Sequence, residues 1–117
     1  MKMDRNINAD GKGKYAIIRL RSISDGDTET HALLRRLDEI GVIDWGTVGQ
    51  PDEFFVVKLK DKYAGAAISA YADAVVADAR TVINDEVAYK DRMQWALDVQ
   101  KLGSRAGTLS PFCKQPD

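Results

Sequence analysis

His31 and Cys113 are the only histidine and the only cysteine in the 117-residue chain, and between them they bound the reactions it could perform. A catalytic thiolate needs a base within hydrogen-bond reach. Here that would require two residues far apart in sequence to meet, and nothing in their spacing demands it. His31 reads instead as a solvated residue near the start of a helix. One of each cannot supply the nitrogen and sulfur ligands of a zinc site. A lone thiol also forms no internal disulfide, which favours a reducing, cytoplasmic setting. Asp25-Gly26-Asp27 begins like a calcium loop but lacks the further acids and the closing glutamate, so a turn followed by a helix cap accounts for it. Gly11-Lys12-Gly13-Lys14 has glycines and lysines in the manner of a phosphate loop. It precedes a predicted strand instead of following one, and no Ser or Thr follows the lysine. Trp45-Gly46 and Trp95 could line a pocket, although an indole in a small domain is first a core group. An enzyme would need carboxylates such as Asp44 and Asp52 joined in one pocket. The expectation is a chain without cofactor or metal that acts by binding and not by catalysis.

Two surfaces carry side chains suited to binding. Tyr15, Arg19, Phe54 and Lys58 combine aromatic rings, which stack on bases, with cations, which track phosphates. Tyr89, Met93, Trp95 and Val99 lie on a helical pattern with two neighbouring apolar stripes: Trp95, Val99 and Leu102 on one, Tyr89, Met93 and Ala96 on the other, with Leu97 on the flank. Two stripes make an apolar arc wider than one packing face requires. The second stripe either wraps into the domain or buries against a second copy or another protein.

These surfaces depend on the elements that present them. Residues 1–13, rich in Asn, Asp and Gly, read as a basic arm. Alternation from Lys14 to Arg21 predicts a strand, with Ala16, Ile18 and Leu20 on one face and Tyr15, Ile17, Arg19 and Arg21 on the other. Asp27 or Thr28 caps a helix that runs through Ile40, with a stripe of Leu33, Leu37 and Ile40, and Gly41 ends it. Val42 to Trp45 is a short second strand. Glu53 to Lys60 is the third, with Phe55, Val57 and Leu59 opposite Phe54, Val56, Lys58 and Lys60. Asp61 then caps a second helix whose Ala64, Ala67, Ile68, Tyr71 and Val75 share a side. Its remaining side chains are unusually small, so another backbone can come close. Arg80 to Ile83 reads as either a kinked continuation or a fourth strand. A third helical pattern runs from about Asp85 to Leu102, with Asn84 as cap and Gly103 as stop, and residues 104–117 form an irregular tail.

The resulting fold class is a single α+β domain over residues 14–103. It has a ferredoxin-like β-α-β-β-α core, sheet order 1-3-2, and an additional C-terminal helix. The right-handed crossover rule orients the first two strands, and the apolar third strand takes the centre. The helices would cover the face formed by Ala16, Ile18, Leu20, Phe55, Val57 and Leu59, leaving Tyr15, Arg19, Phe54 and Lys58 on the open face.

Phe54-Phe55-Val56-Val57-Lys58-Leu59-Lys60-Asp61, continuing to Ala67-Ile68, resembles the third strand and second helix of the RNA recognition motif, which implies stacking of single-stranded nucleic acid on the open sheet face. The chain departs from that family where Asp52-Glu53 replaces a basic residue and a glycine. A second resemblance lies in Met1-Lys2-Met3-Asp4-Arg5-Asn6-Ile7-Asn8 running into Gly13-Lys14-Tyr15-Ala16. With Asp52 to Ala64 and the ending Cys113-Lys114-Gln115-Pro116-Asp117, it is similar to small uncharacterised proteins of bacteriophages and prophages. That resemblance implies an accessory protein and assigns no catalytic residue.

Composition fits these expectations. Hydrophobic residues at 44% supply one core and exclude a disordered chain. No apolar run of about 18 residues exists to span a membrane, and the opening residues lack a secretory apolar stretch. Residues 1–21 hold six basic side chains against two acids, leaving eleven basic against sixteen acidic in the remainder, a net of −5. A basic end on an acidic body either steers an anionic partner or serves as a solvated arm. The leading expectation is protein–protein binding, with self-association into a homo-oligomer or capture of another protein. Single-stranded nucleic-acid binding is the alternative.

Overall fold

Asp27 shows how the first helix begins. In the computed structural model, which describes residues 15–114, its Oδ1 accepts the Thr30 backbone N–H at 3.0 Å and its Oδ2 accepts the Thr30 hydroxyl at 2.7 Å. These bonds satisfy donors that a helix start otherwise leaves orphaned. Helix α1 spans Thr28–Glu39. It ends in a Schellman arrangement: the Val42 N–H donates to the Leu37 carbonyl, the Gly41 N–H donates to the Asp38 carbonyl, and Gly41 takes a φ of 77°.

Helix α2 spans Ala64–Arg80 and α3 spans Glu86–Gly103. Asp61 does not cap α2 directly. Its Oδ1 accepts the Tyr63 N–H at 2.8 Å, a local turn that leads the chain into the helix. Residues 81–84 form a turn, neither a strand nor a continuation of α2. The cap of α3 is Asp85, not Asn84, with its Oδ1 accepting the Ala88 N–H at 3.1 Å.

The chain divides into two compact units that meet in sequence at Val56 and Val57. In the first, residues 15–56, α1 is followed by a loop in which Trp45 Nε1 donates to Asp38 Oδ1 at 2.7 Å. The Phe54 ring lies over Gly46, so closely that a Cβ there would fall 2.6 Å from a ring carbon. The second unit, residues 57–114, is a helical hairpin of α2 and α3. Their buried seam holds Ala72, Ala79, Ala96 and Val99. Arg92 Nε on α3 pairs with Asp78 Oδ2 on α2 at 3.3 Å near the turn. At the other end a short 3-10 turn, Gly107–Leu109, packs against the start of α2.

The described residues form three α-helices and no strand, which overturns the α+β, ferredoxin-like reading and its 1-3-2 sheet. The expected strand from Lys14 to Arg21 is extended coil from Tyr15 and then a 3-10 turn at Leu20–Ser22; Lys14 lies outside the described residues. Val42 to Trp45 is coil, and Glu53 to Lys58 is coil that bends into a turn at Leu59 and Lys60. Alternation makes a segment able to form a strand, but a strand exists only where a neighbour supplies its ladder. Here those backbone groups find other partners. The Leu59 carbonyl accepts the Gly107 N–H at 2.8 Å, the Lys60 carbonyl accepts the Lys114 N–H at 2.9 Å, and the Lys62 N–H donates to the Lys114 carbonyl at 3.0 Å. A single parallel bridge, Asp61 with Lys114, is all that results. The face expected to be covered is open, with Phe55 89% exposed. The expected α1 core stripe is open too, since Leu33 is 62% exposed. No helix among the described residues is long and apolar enough to cross a membrane.

Two outcomes test this architecture. Gly107 has a φ of 58°, and a Cβ there would sit 3.0 Å from both the Gly65 nitrogen and the Lys62 oxygen. Gly107→Ala should lower stability by about 1–3 kcal/mol, read as an earlier urea midpoint. Gly26→Ala, which meets open space, serves as the near-neutral control, and equal midpoints for the two would contradict the tail's close seat. The second outcome concerns Asp27, whose pKa is lowered by the Thr30 backbone N–H first and the Thr30 hydroxyl second, with a smaller Coulombic contribution from His31. A depressed folded pKa stabilises fully above the unfolded carboxyl value of about 3.9 and is lost as pH falls through the lower folded value. Titration of the Asp27 carboxyl by NMR should show the low midpoint, and Thr30→Ala should raise it. A midpoint unmoved by Thr30→Ala would remove the hydroxyl's share, since alanine keeps the backbone N–H that is the larger cause.

Candidate functional site

The small side chains of α2 determine what its surface can do. Nine residues from Ala64 to Ala72 carry no charge, and five of them are alanine. Alanines at Ala72 and Ala79 fill the seam against α3 with methyl groups, so the two helices approach closely: a Cβ built on Gly103 would lie 3.5 Å from Ile68 Cγ2. Beside the seam, Ala64 and Ala67 give a low floor, while Tyr71 and Trp95 rise as walls. Trp95 Nε1 donates to the Tyr71 hydroxyl at 3.3 Å, which holds the two rings together across the helices.

The result is an open groove of about 320 Å³. Val57, Ile68, Val99 and Leu102 complete its lining with Ala64, Ala67, Tyr71 and Trp95. Every lining side chain is apolar or aromatic, and only the Tyr71 hydroxyl and the indole N–H offer hydrogen bonds. Such a lining can shelter apolar side chains from water. Among the described residues no three His, Cys, Asp or Glu side chains gather as a metal ion would need. His31 Nε2 lies 3.0 Å from the Ser24 carbonyl oxygen, a contact that secures the approach to α1 in the tautomer protonated at that nitrogen. Cys113 is exposed.

The four helix residues expected to bind protein divide between roles. Trp95 and Val99 line the groove, and Val99 is also buried in the seam at 5% exposure. Tyr89 and Met93 are half-buried and lie outside the groove lining. Of the two apolar stripes, Trp95–Val99–Leu102 borders the groove, while Ala96 packs into the seam and Leu97 stays exposed. The wall that sequence reasoning missed is on α2: Ala67, Ile68 and Tyr71 share a side, as helical spacing expects, but α3 and not a sheet stands beside them. Val57, expected on a sheet face, closes the groove's base.

The other expected set fares differently. Tyr15, Arg19, Phe54 and Lys58 are exposed in coil, and no sheet aligns them. Phe54 is already engaged with Gly46. The sheet face expected to present them is not formed among the described residues.

The position of the groove depends on which alanines face α3. Ala72→Leu should overpack the seam and cost about 1–3 kcal/mol. Ala70→Leu, on the exposed side, should change stability by no more than about 0.5 kcal/mol. Equal unfolding midpoints for the two variants would show that the seam, and with it the groove, lies elsewhere. No family model, curated protein or solved structure matches this chain, so the groove's own chemistry carries its interpretation.

Proposed function

We propose that this chain is a binding module that acts through protein–protein contact, with the groove between α2 and α3 as its contact surface. The observation that carries this reading is the groove itself: an open, apolar concavity with two aromatic walls on a pair of packed helices. Aromatic anchors flanked by small residues suit burial of a partner's apolar side chains, and tryptophan and tyrosine are the residue types that dominate such contacts. The distribution of apolar surface supports it further. The hairpin buries alanines and one valine, while Tyr63, Tyr71, Leu97, Leu109 and Phe112 stay exposed. Full burial of a large apolar side chain contributes about 1.5–3 kcal/mol, so these exposed groups leave part of the hairpin's capacity for apolar contact unused. The resemblance of the opening residues and of Asp52 to Ala64 to small phage and prophage proteins favours an accessory role.

Site-specific photocrosslinking in the full chain tests this reading. A benzophenone side chain at Ala67, on the groove floor, should give polypeptide adducts whose mapped sites recur between preparations. The same group at Val87, exposed at the start of α3 and outside the groove lining, should not. Equal adduct patterns from the two positions, or none from Ala67, would contradict the groove as the contact surface.

A further inference from the structure

The hairpin carries opposite charge at its two ends, and that asymmetry identifies an occupant for the groove. At the base, residues 58–65 and 98–106 hold Lys58, Lys60, Lys62, Lys101 and Arg105 against Asp61 and Asp98, a net of +3. Toward the turn, residues 73–92 hold five carboxylates, at 73, 78, 85, 86 and 91, against Arg80, Lys90 and Arg92, a net of −2. Two of those three cations are already paired within their own end, Arg92 with Asp78 and Lys90 with Glu86.

We propose, building on the protein-binding reading above, that the partner is a second copy of this chain, docked antiparallel so that the basic base of each hairpin lies along the acidic turn end of the other. The two ends of the hairpin differ in relief as well as in charge. Past Tyr71, helical spacing continues the groove side of α2 through Ala74, Val75 and Asp78. Past Trp95, toward the turn, it continues that of α3 through Asp91 and Ala88. The base half therefore holds the groove, and the turn half presents Ala74, Val75 and Ala88 beside Asp78, Asp91 and Arg92. A two-fold axis near Tyr71 and Trp95 sets the turn half of each copy against the groove half of the other, as an isologous interface requires. The product is a four-helix bundle that shields Ala67 and Ala74 of α2. A parallel arrangement would instead set base against base and turn against turn, with like charges opposed.

Sedimentation velocity of the full chain over a concentration series, at low and physiological salt, tests this. The wild type should dimerise reversibly, more tightly at low salt. Lys58→Glu with Lys62→Glu at the base, or Ala74→Lys with Asp91→Lys at the turn end, should each weaken the dimer by at least about tenfold. All four substitutions together should restore it, because both ends have then exchanged sign. These positions are exposed, and circular dichroism on each variant confirms that the helices persist. A dimer indifferent to the substitutions, or one not rescued by the combination, overturns antiparallel docking. A wild type that stays monomeric at every concentration overturns self-association. In that case groove-specific adducts to a different protein from Ala67 would leave the binding reading standing, and their absence would remove both.

Discussion

The close approach of α2 and α3 along a seam of alanines is the constraint on which the hairpin and its groove depend. Methyl-sized contacts at Ala72, Ala79 and Ala96 bring the helix axes near one another, and Gly103 lets Ile68 reach across. Larger residues there would separate the helices and fill the space beside them. With the seam this tight, Tyr71 and Trp95 cannot enter it. They stand at its edge, bonded to each other, and become the walls of a groove. The feature that makes the hairpin possible is therefore the same one that leaves its aromatic side chains outside.

That arrangement has an energetic consequence. Burial stabilises roughly in proportion to apolar area removed from water, and alanines bring little area each. The hairpin supplements its small core with directional contacts: the Arg92–Asp78 pair near the turn, the Asp85 cap, and a C-terminal tail held by backbone bonds to Leu59, Lys60 and Lys62. The surface ion pair is partly exposed and contributes modestly. The tail bonds matter more to the architecture. They occupy the backbone groups of residues 59–62 and end any continuation of the preceding extended segment as a strand. A structure that is stabilised through caps, turns and methyl contacts leaves large apolar groups exposed, and these are what the proposed partner contact would remove from water.

Much of the helical content was legible in the sequence, because helices announce themselves locally. Asp27 before α1, Gly41 after it, the alanine run of α2 and the Trp95–Val99–Leu102 stripe of α3 are short-range signals with short-range causes. The strands were misread for the complementary reason. The alternation through Tyr15 to Arg21 and Glu53 to Lys60 satisfies the period of a strand, yet pairing is a long-range property that no local pattern states. What competed for the Leu59 and Lys60 carbonyls was a glycine and a lysine some fifty residues later, Gly107 and Lys114, and neither carries a sequence signature of that role. The groove was half legible. Its α3 wall follows from the stripe. Its α2 wall was visible as a shared helix side, which the small side chains assign to a sheet or a partner and which lies against α3 instead. The resemblance to the RNA recognition motif fails at the same step, since its stacking face requires the sheet.

The central claim is that α2 and α3 form a hairpin packed through Ile68 and Gly103, with residues 53–60 outside any sheet. Nuclear Overhauser spectroscopy on the full chain, labelled at isoleucine methyls and glycine, tests it most directly. The account predicts a contact between the Ile68 Cγ2 methyl and the Gly103 Hα protons, together with contacts between the Trp95 and Tyr71 rings. Cross-strand Hα contacts between residues 15–21 and 53–60, with no Ile68–Gly103 contact, would contradict it.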